Sequence, residues 1–147
     1  MPLEISAGAV IFRKEKDKIY YLLLRYPAIN HRSGKDYWDF VKGHVEKGEH
    51  KLETITREAK EETGLEDLEF VDEFSQTMKY FFVFDGKRIF KIVAFKLAKT
   101  RTKDIKLSGE HNDFTWLPFN EAYEALSFDN AKDVLKKANE FLLKQQK

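Results

Sequence analysis

Between His50 and Gly64 the chain places Glu58, Glu61 and Glu62 at i, i+3 and i+4. Wound at 3.6 residues per turn, the three carboxylates gather on one helical face, with Arg57 beside Glu61. Leu52, Ile55, Thr56, Ala59 and Thr63 form the adjoining stripe, which is expected to be buried. Like charges at these spacings cost a helix a few tenths of a kcal/mol per pair, so the patch is unfavourable without a counter-charge. A divalent cation reverses the sign. Mg²⁺ or Mn²⁺ takes carboxylate oxygens, keeps several waters and bridges to substrate phosphates; a merely solvated Glu-rich face is the other reading of the same residues.

The helix that carries this patch is expected over His50 to Thr63, ending at Gly64 as a left-handed cap followed by the apolar Leu65. A second helix is expected after Pro118, with Asn120 as N-cap and Glu121 in its first turn. A third, over Ala131 to Leu143, puts Val134, Leu135, Ala138, Phe141 and Leu142 on one stripe. Between them lie β-rich runs. Ile5 to Phe12 and Lys18 to Arg25 flank the polar turn Lys14 to Asp17, and Glu69 to Phe84 and Lys87 to Leu97 flank Asp85-Gly86. Asp113 to Leu117 reads as a short strand, whereas Tyr26 to Asp36, with Pro27, Asn30, Ser33 and Gly34, reads as a loop. Helices among hairpin-joined strands predict an α/β fold with helices covering a mixed sheet.

The chain has 147 residues, for which one domain over 1–147 is expected. With no cysteine, a disulfide framework, a thiolate metal site and a Cys nucleophile are all excluded. Lys and Arg number 26 against 25 Asp and Glu, a balance of +1 that predicts no general affinity for nucleic acid or anionic membranes. No apolar run approaches the roughly 18 residues of a membrane span, and Met1 to Arg13 lacks the apolar centre of a signal peptide. A soluble cytoplasmic protein is therefore expected.

From Gly43 to Leu65 the chain sets Gly43, Glu49, Arg57, Glu58, Ala59, Glu61, Glu62, Gly64 and Leu65 at the spacing of the Nudix box. In this it resembles the Nudix hydrolases, which cleave nucleoside diphosphates linked to another moiety. The resemblance implies the Nudix fold, an α/β/α sandwich with a mixed, largely hairpin-connected sheet and a loop–helix–loop catalytic motif. It further implies that Glu58 and Glu62 ligate Mg²⁺ or Mn²⁺, that Glu61 assists, and that the Lys42 carbonyl adds an oxygen ligand. Arg57 would pair with Glu49 and hold the loop against the helix. The Lys42 side chain would lie beside the phosphates.

Two further stretches narrow the likeness. Trp38 to Glu49 resembles the W-x-x-P-K-G-H-x-E-x-G-E approach to the box in asymmetrical diadenosine tetraphosphate hydrolases, with Val41 in place of the Pro. Leu107-Ser108-Gly109-Glu110-His111, then Trp116-Leu117 and Glu121-Ala122, and the leading Ala7 to Phe12, resemble other segments of the same enzymes. This implies that Glu110 ligates metal or takes the proton from water, Glu58 being the other candidate base. It implies an adenine stacked on Tyr80, with Phe128 on its opposite face and Lys91 on a phosphate. Tyr37, Trp38 and His44 would also line the substrate site. His44 and His111 stand beside site residues, and His31 and His50 are read as surface groups. No pair of histidines has the i, i+4 spacing of a zinc helix.

The implied reaction is diadenosine tetraphosphate plus water giving ATP and AMP, with a divalent cation as cofactor and a nucleotide as partner. No stable nucleic-acid complex and no membrane association are expected. The rival readings are another pyrophosphate substrate (5'-triphosphorylated RNA, an oxidised nucleoside triphosphate or ADP-ribose) and a catalytically silent nucleotide-binding domain.

Overall fold

The structure is a computed structural model, which describes residues 2–28 and 34–145. The elements follow as β1 (Leu3–Glu15), β2 (Lys18–Tyr26), β3 (Tyr37–Asp39), β4 (Val41–His44), α1 (Lys51–Thr63), β5 (Glu69–Phe70), β6 (Gln76–Phe84), β7 (Lys87–Lys99), β8 (Asp113–Leu117), α2 (Phe119–Ala125) and α3 (Asp129–Gln145).

β1 organises the sheet because both of its faces are apolar. Ala7, Ala9 and Ile11 face α1 together with Ile55, Ala59 and Leu65. Val10 and Phe12 face α2 and α3 together with Ala122, Val134, Leu135 and Ala138. The result is an α/β/α sandwich with two cores on opposite sides of one mixed sheet. β7 runs parallel to β1 along most of its length, from Leu3↔Phe90 to Phe12↔Lys99. On its other edge β1 changes partner: Ser6 to Ala9 pair with β4, and Phe12 to Glu15 pair with β2. This split opens the sheet where β4 leaves it for α1, and that is where the acidic helix docks.

Several expectations need correction. Glu69 to Phe84 is not one strand: β5 ends at Phe70, and the chain bends through Asp72 and Glu73 before β6, with Phe74 buried as an anchor. β3 and β4 were not anticipated, since three- and four-residue strands carry too few alternations to register as a period. Pro118, not Asn120, caps α2, whose first helical residue is Phe119. A proline there donates no N–H, which a helix start does not require. α3 is longer than its apolar stripe by a polar residue or two at each end.

Leu52 and Thr56 are exposed, and the buried face of α1 is Thr54, Ile55, Ala59, Glu62 and Thr63. The helix is thus rolled so that a glutamate, not a leucine, enters the interior. Gly64 does end α1 with φ +77°, its N–H donating to the Lys60 carbonyl. His50 is exposed but occupies the N-cap, where its N–H donates to Glu53 Oε1 at 3.0 Å. His31 lies outside the described residues, as does the centre of the loop read between Tyr26 and Asp36. The ends of that loop are tied by Asp36, which accepts from Ala28 N at 2.7 Å and from Asn112 Nδ2 at 3.0 Å. Among the described residues no helix is long and apolar enough to cross a membrane.

Candidate active site

Arg57 is the hub of the α1 N-terminal half. Its Nε donates to Glu49 Oε2 at 2.7 Å and its Nη2 to Glu49 Oε1 at 3.1 Å, a two-pronged contact with little freedom to shift. Nη2 also reaches the His44 carbonyl at 3.2 Å, and Nη1 donates to Glu58 Oε1 at 2.7 Å. Glu49 accepts in addition from Thr54 Oγ1 and the Glu46 N–H. Hydrogen bonds from Arg57, Thr54 and Glu46 hold its carboxyl down to about 2. Arg57 therefore fastens the loop after β4 to the helix and fixes the Glu58 rotamer. Glu58 also lies directly on Gly43, where any Cβ would overlap its carboxyl group. A side chain at position 43 would displace the Glu58 carboxyl from where it now lies.

Glu62, one turn further on, is in a different state. Its side chain is 6% exposed, Oε2 has no hydrogen-bond partner, and Oε1 stands 3.7 Å from Nε2 of His111, which is also buried and unpartnered. Burial pushes the Glu62 carboxyl up to about 9, with the Glu58 and Glu110 charges adding to the rise. Burial lowers the His111 pKa despite the opposing pull of Glu110, which disfavours the charged imidazole that a counter-ion would require, and its Nδ1 lies 3.2 Å from Ser108 Oγ. Among the described residues no lysine or arginine forms a salt bridge with Glu62, and a hard divalent cation would supply that charge. Glu61 does not share this environment: it is 60% exposed, 3.6 Å from Arg57 Nη1. Among the described residues no three carboxylate or imidazole side chains are drawn together tightly enough to enclose an ion. A cation beside Glu62 and Glu58 would complete its shell with main-chain, water or phosphate oxygens, which is how Mg²⁺ is commonly held. The residues present fit such an ion.

These groups face a cavity of about 360 Å³ whose lining includes Glu58, Glu62, Glu110, Lys42, Lys91, His44, Tyr26 and Tyr37. Acidic and basic walls thus meet in one cleft. Lys42 Nζ donates to buried Asp39 at 2.9 Å; burial works against its charge, but Asp39 more than offsets this and raises its pKa. Burial and the neighbouring Lys42 lower the pKa of Lys91, whose Nζ is 4.0 Å from Glu4. Tyr37 stacks on Tyr26 at 4.9 Å with the planes 3° apart, and the Phe128 ring leans on Tyr37 at 5.3 Å. Tyr80 pairs across the ladder with Lys91 and is near enough to Lys42 and Tyr37 to affect their ionisation.

Of the anticipated residues, Trp38 stands apart. It packs toward the core under α2 and α3, and its main chain exchanges hydrogen bonds with Ser127. His44 lies on the exposed rim, 4.0 Å from Glu4. Asp39, Glu4 and Tyr26 were not anticipated. Asp39 stands three residues before Lys42, a spacing that could have flagged it, whereas Glu4 meets Lys91 only through the β1–β7 register. Tyr26, buried at the wall of the cleft, donates to the Phe40 carbonyl at 2.6 Å and meets His111 edge-on at 4.4 Å.

The geometry has counterparts among known proteins. Residues 2–138 match the NUDIX domain. The bis(5'-nucleosyl)-tetraphosphatase (asymmetrical) of Rattus norvegicus is 31% identical over 142 residues, covering 93% of this chain and 94% of that protein. The enzyme of the same name from Caenorhabditis elegans is 33% identical over 140 residues, covering 93% and 95%. The crystal structure of a C. elegans Ap4A hydrolase binary complex superposes with a TM-score of 0.79 at 31% identity, covering 95% of this chain and 98% of that one. A domain match that spans nearly the whole chain, relatives above 30% identity and a shared fold leave one conclusion: the chain belongs to the NUDIX family and is a Nudix hydrolase.

Proposed function

We propose that this hydrolase cleaves diadenosine tetraphosphate to ATP and AMP in a reaction dependent on Mg²⁺ or Mn²⁺. The observation that carries the metal dependence is the buried, uncompensated Glu62 facing Glu58 and Glu110 across a cleft that also holds two lysines. The substrate class rests on the likeness to asymmetrical bis(5'-nucleosyl)-tetraphosphatases along 93% of the chain. Glu58 and Glu62 would hold the cation, with the Lys42 main chain beside them and Glu110 across the cleft. When bound, it neutralises phosphate charge and makes water a better nucleophile near neutral pH.

The chain's own residues do the rest. Lys42, whose charge Asp39 supports, and Lys91, its neighbour in the cleft, draw the polyphosphate across it. Tyr37, backed by Tyr26 and Phe128, offers a flat wall to a base, and Tyr80 extends the aromatic surface. Glu110 is exposed on the rim, where it can accept a proton from water and pass it to solvent; Glu58 is held by Arg57 and is the less free of the two candidate bases.

Replacing Glu62 by Gln tests this reading directly. The amide keeps the shape and removes the charge, so turnover should fall to background and Mn²⁺ titration should lose its saturable site, while the melting temperature holds or rises. Wild-type turnover at limiting Mg²⁺ in the Glu62→Gln protein would overturn the metal assignment.

A further inference from the structure

A second cavity, of about 380 Å³, lies at the other end of β1 and is built almost entirely of cations: Arg13, Lys14, Lys99, Arg101 and Lys103, against the single carboxylate Glu15. Ser6, which lines the catalytic cleft, and Lys14 are eight residues apart on one strand, so the two cavities are separated by roughly 26 Å. In a chain of net charge +1, this clustering is a strong local departure from balance.

The site is built and not merely a brush of surface lysines. The Arg13 side chain is 9% exposed, and its Nε is buried without a hydrogen-bond partner. Its guanidinium is held between two rings, 4.8 Å from the centre of Tyr20 and 5.2 Å from that of Trp116. Nη1 donates to Glu15 at 2.8 Å. That bond and the charge of Arg13, with Lys103 adding, hold the Glu15 carboxyl below its usual range. The loop after β7 is pinned beside it: Thr100 N donates to the Phe12 carbonyl, the Arg101 N–H to Asp67, and the Trp116 indole N–H to the Lys103 carbonyl at 2.9 Å. Arg101 Nε is 3.8 Å from Glu69, but among the described residues no carboxylate forms a salt bridge with Lys14, Lys99 or Lys103. Bringing like charges together without partners costs stability, and a multiply charged anion converts that cost into binding.

We infer that this cavity is a second, non-catalytic anion site that takes a short polyphosphate chain, free or carried by a nucleotide. Its volume accommodates such a chain, and each unpaired lysine can make a charge-assisted hydrogen bond to a phosphate oxygen. The two aromatic rings are already covered by Arg13, so the site reads phosphates and leaves any base outside.

The test uses the full chain, labelled with ¹⁵N and kept free of divalent metal, titrated with tripolyphosphate and separately with ATP. Saturable shifts are expected at the Trp116 indole N–H and the Lys14, Thr100, Arg101 and Lys103 amides, in addition to any in the catalytic cleft. Similar affinities for the two ligands would mean that the phosphates alone are read; markedly tighter ATP binding would mean a nucleotide-borne chain is preferred. In the Lys99→Glu/Lys103→Glu protein, affinity at these amides should fall about tenfold or more, with hydrolytic turnover unchanged. Arg13 is left intact because its loss removes packing as well as charge. Shifts confined to the cleft, shifts that merely track ionic strength in a chloride control, or undiminished binding in the double variant would overturn the assignment. Tighter, competing binding of a single-stranded RNA would also overturn it, replacing a small-molecule site by a nucleic-acid surface. None of these readouts depends on which phosphate ester the catalytic cleft hydrolyses.

Discussion

Arg57 shows how a residue can matter to hydrolysis without lying on a substrate. Its contacts are to Glu49, Glu58 and the His44 carbonyl, all of them groups that shape the cleft. Removing the guanidinium in Arg57→Ala should lower kcat roughly 10–100-fold, the usual cost of losing a group that orients metal-binding carboxylates, with a much smaller change in KM. Steady-state kinetics check this, and an unchanged kcat with a raised KM would put Arg57 on the substrate. At this scale the sequence was informative where partners are local. The i, i+4 spacing placed Glu58 and Glu62 together, and it puts Arg57 within 3.6 Å of Glu61. What it did not reveal was burial: nothing in three neighbouring glutamates says that Glu62 is inside and Glu61 outside, because that depends on how α1 rolls on the sheet.

The roll of α1 has a thermodynamic consequence. Glu62 has a folded-state pKa raised from 4.5 to about 9, mainly by burial. A raised pKa means that its stabilising contribution is fully present below 4.5 and is lost as pH rises through 9. The metal-free protein should therefore lose stability across that window at this site, and denaturant melts at several pH values should show it. Mg²⁺ should restore the loss most strongly at the alkaline end, by about 2.7 kcal/mol at about 100 times its Kd. Glu62→Gln should flatten both effects, whereas a pH-independent melt in metal-free wild type would show that Glu62 is ionised without help. α1 was legible because its period, cap and charges all agree. β6 was not separated from β5 in the sequence because the polar break at Asp72 and Glu73 is short and is followed at once by the buried Phe74. β3 and β4 exist through pairing with β2 and β1, a non-local cause that a local pattern cannot show.

Across the molecule, charge is segregated in a way that net charge conceals. Carboxylates and two lysines share the cleft at one end of β1, and five cations gather at the other. The balance of +1 predicts no general affinity for nucleic acid or anionic membranes, yet it conceals local clusters, because β1 and β7 bring together residues far apart in sequence. The cleft itself spans an acidic wall from α1, a basic wall from β4 and β7, and an aromatic wall from Tyr26 and Tyr37, against which Phe128 leans. The most direct test is hydrolysis in ¹⁸O-labelled water with Mg²⁺, comparing diadenosine tetraphosphate with 5'-triphosphorylated RNA, an oxidised nucleoside triphosphate and ADP-ribose, and identifying each product by mass. Diadenosine tetraphosphate should be the preferred substrate, yielding ATP and AMP with a single label on one of them. An intact diadenosine tetraphosphate beside rapid cleavage of another member of the panel would contradict it.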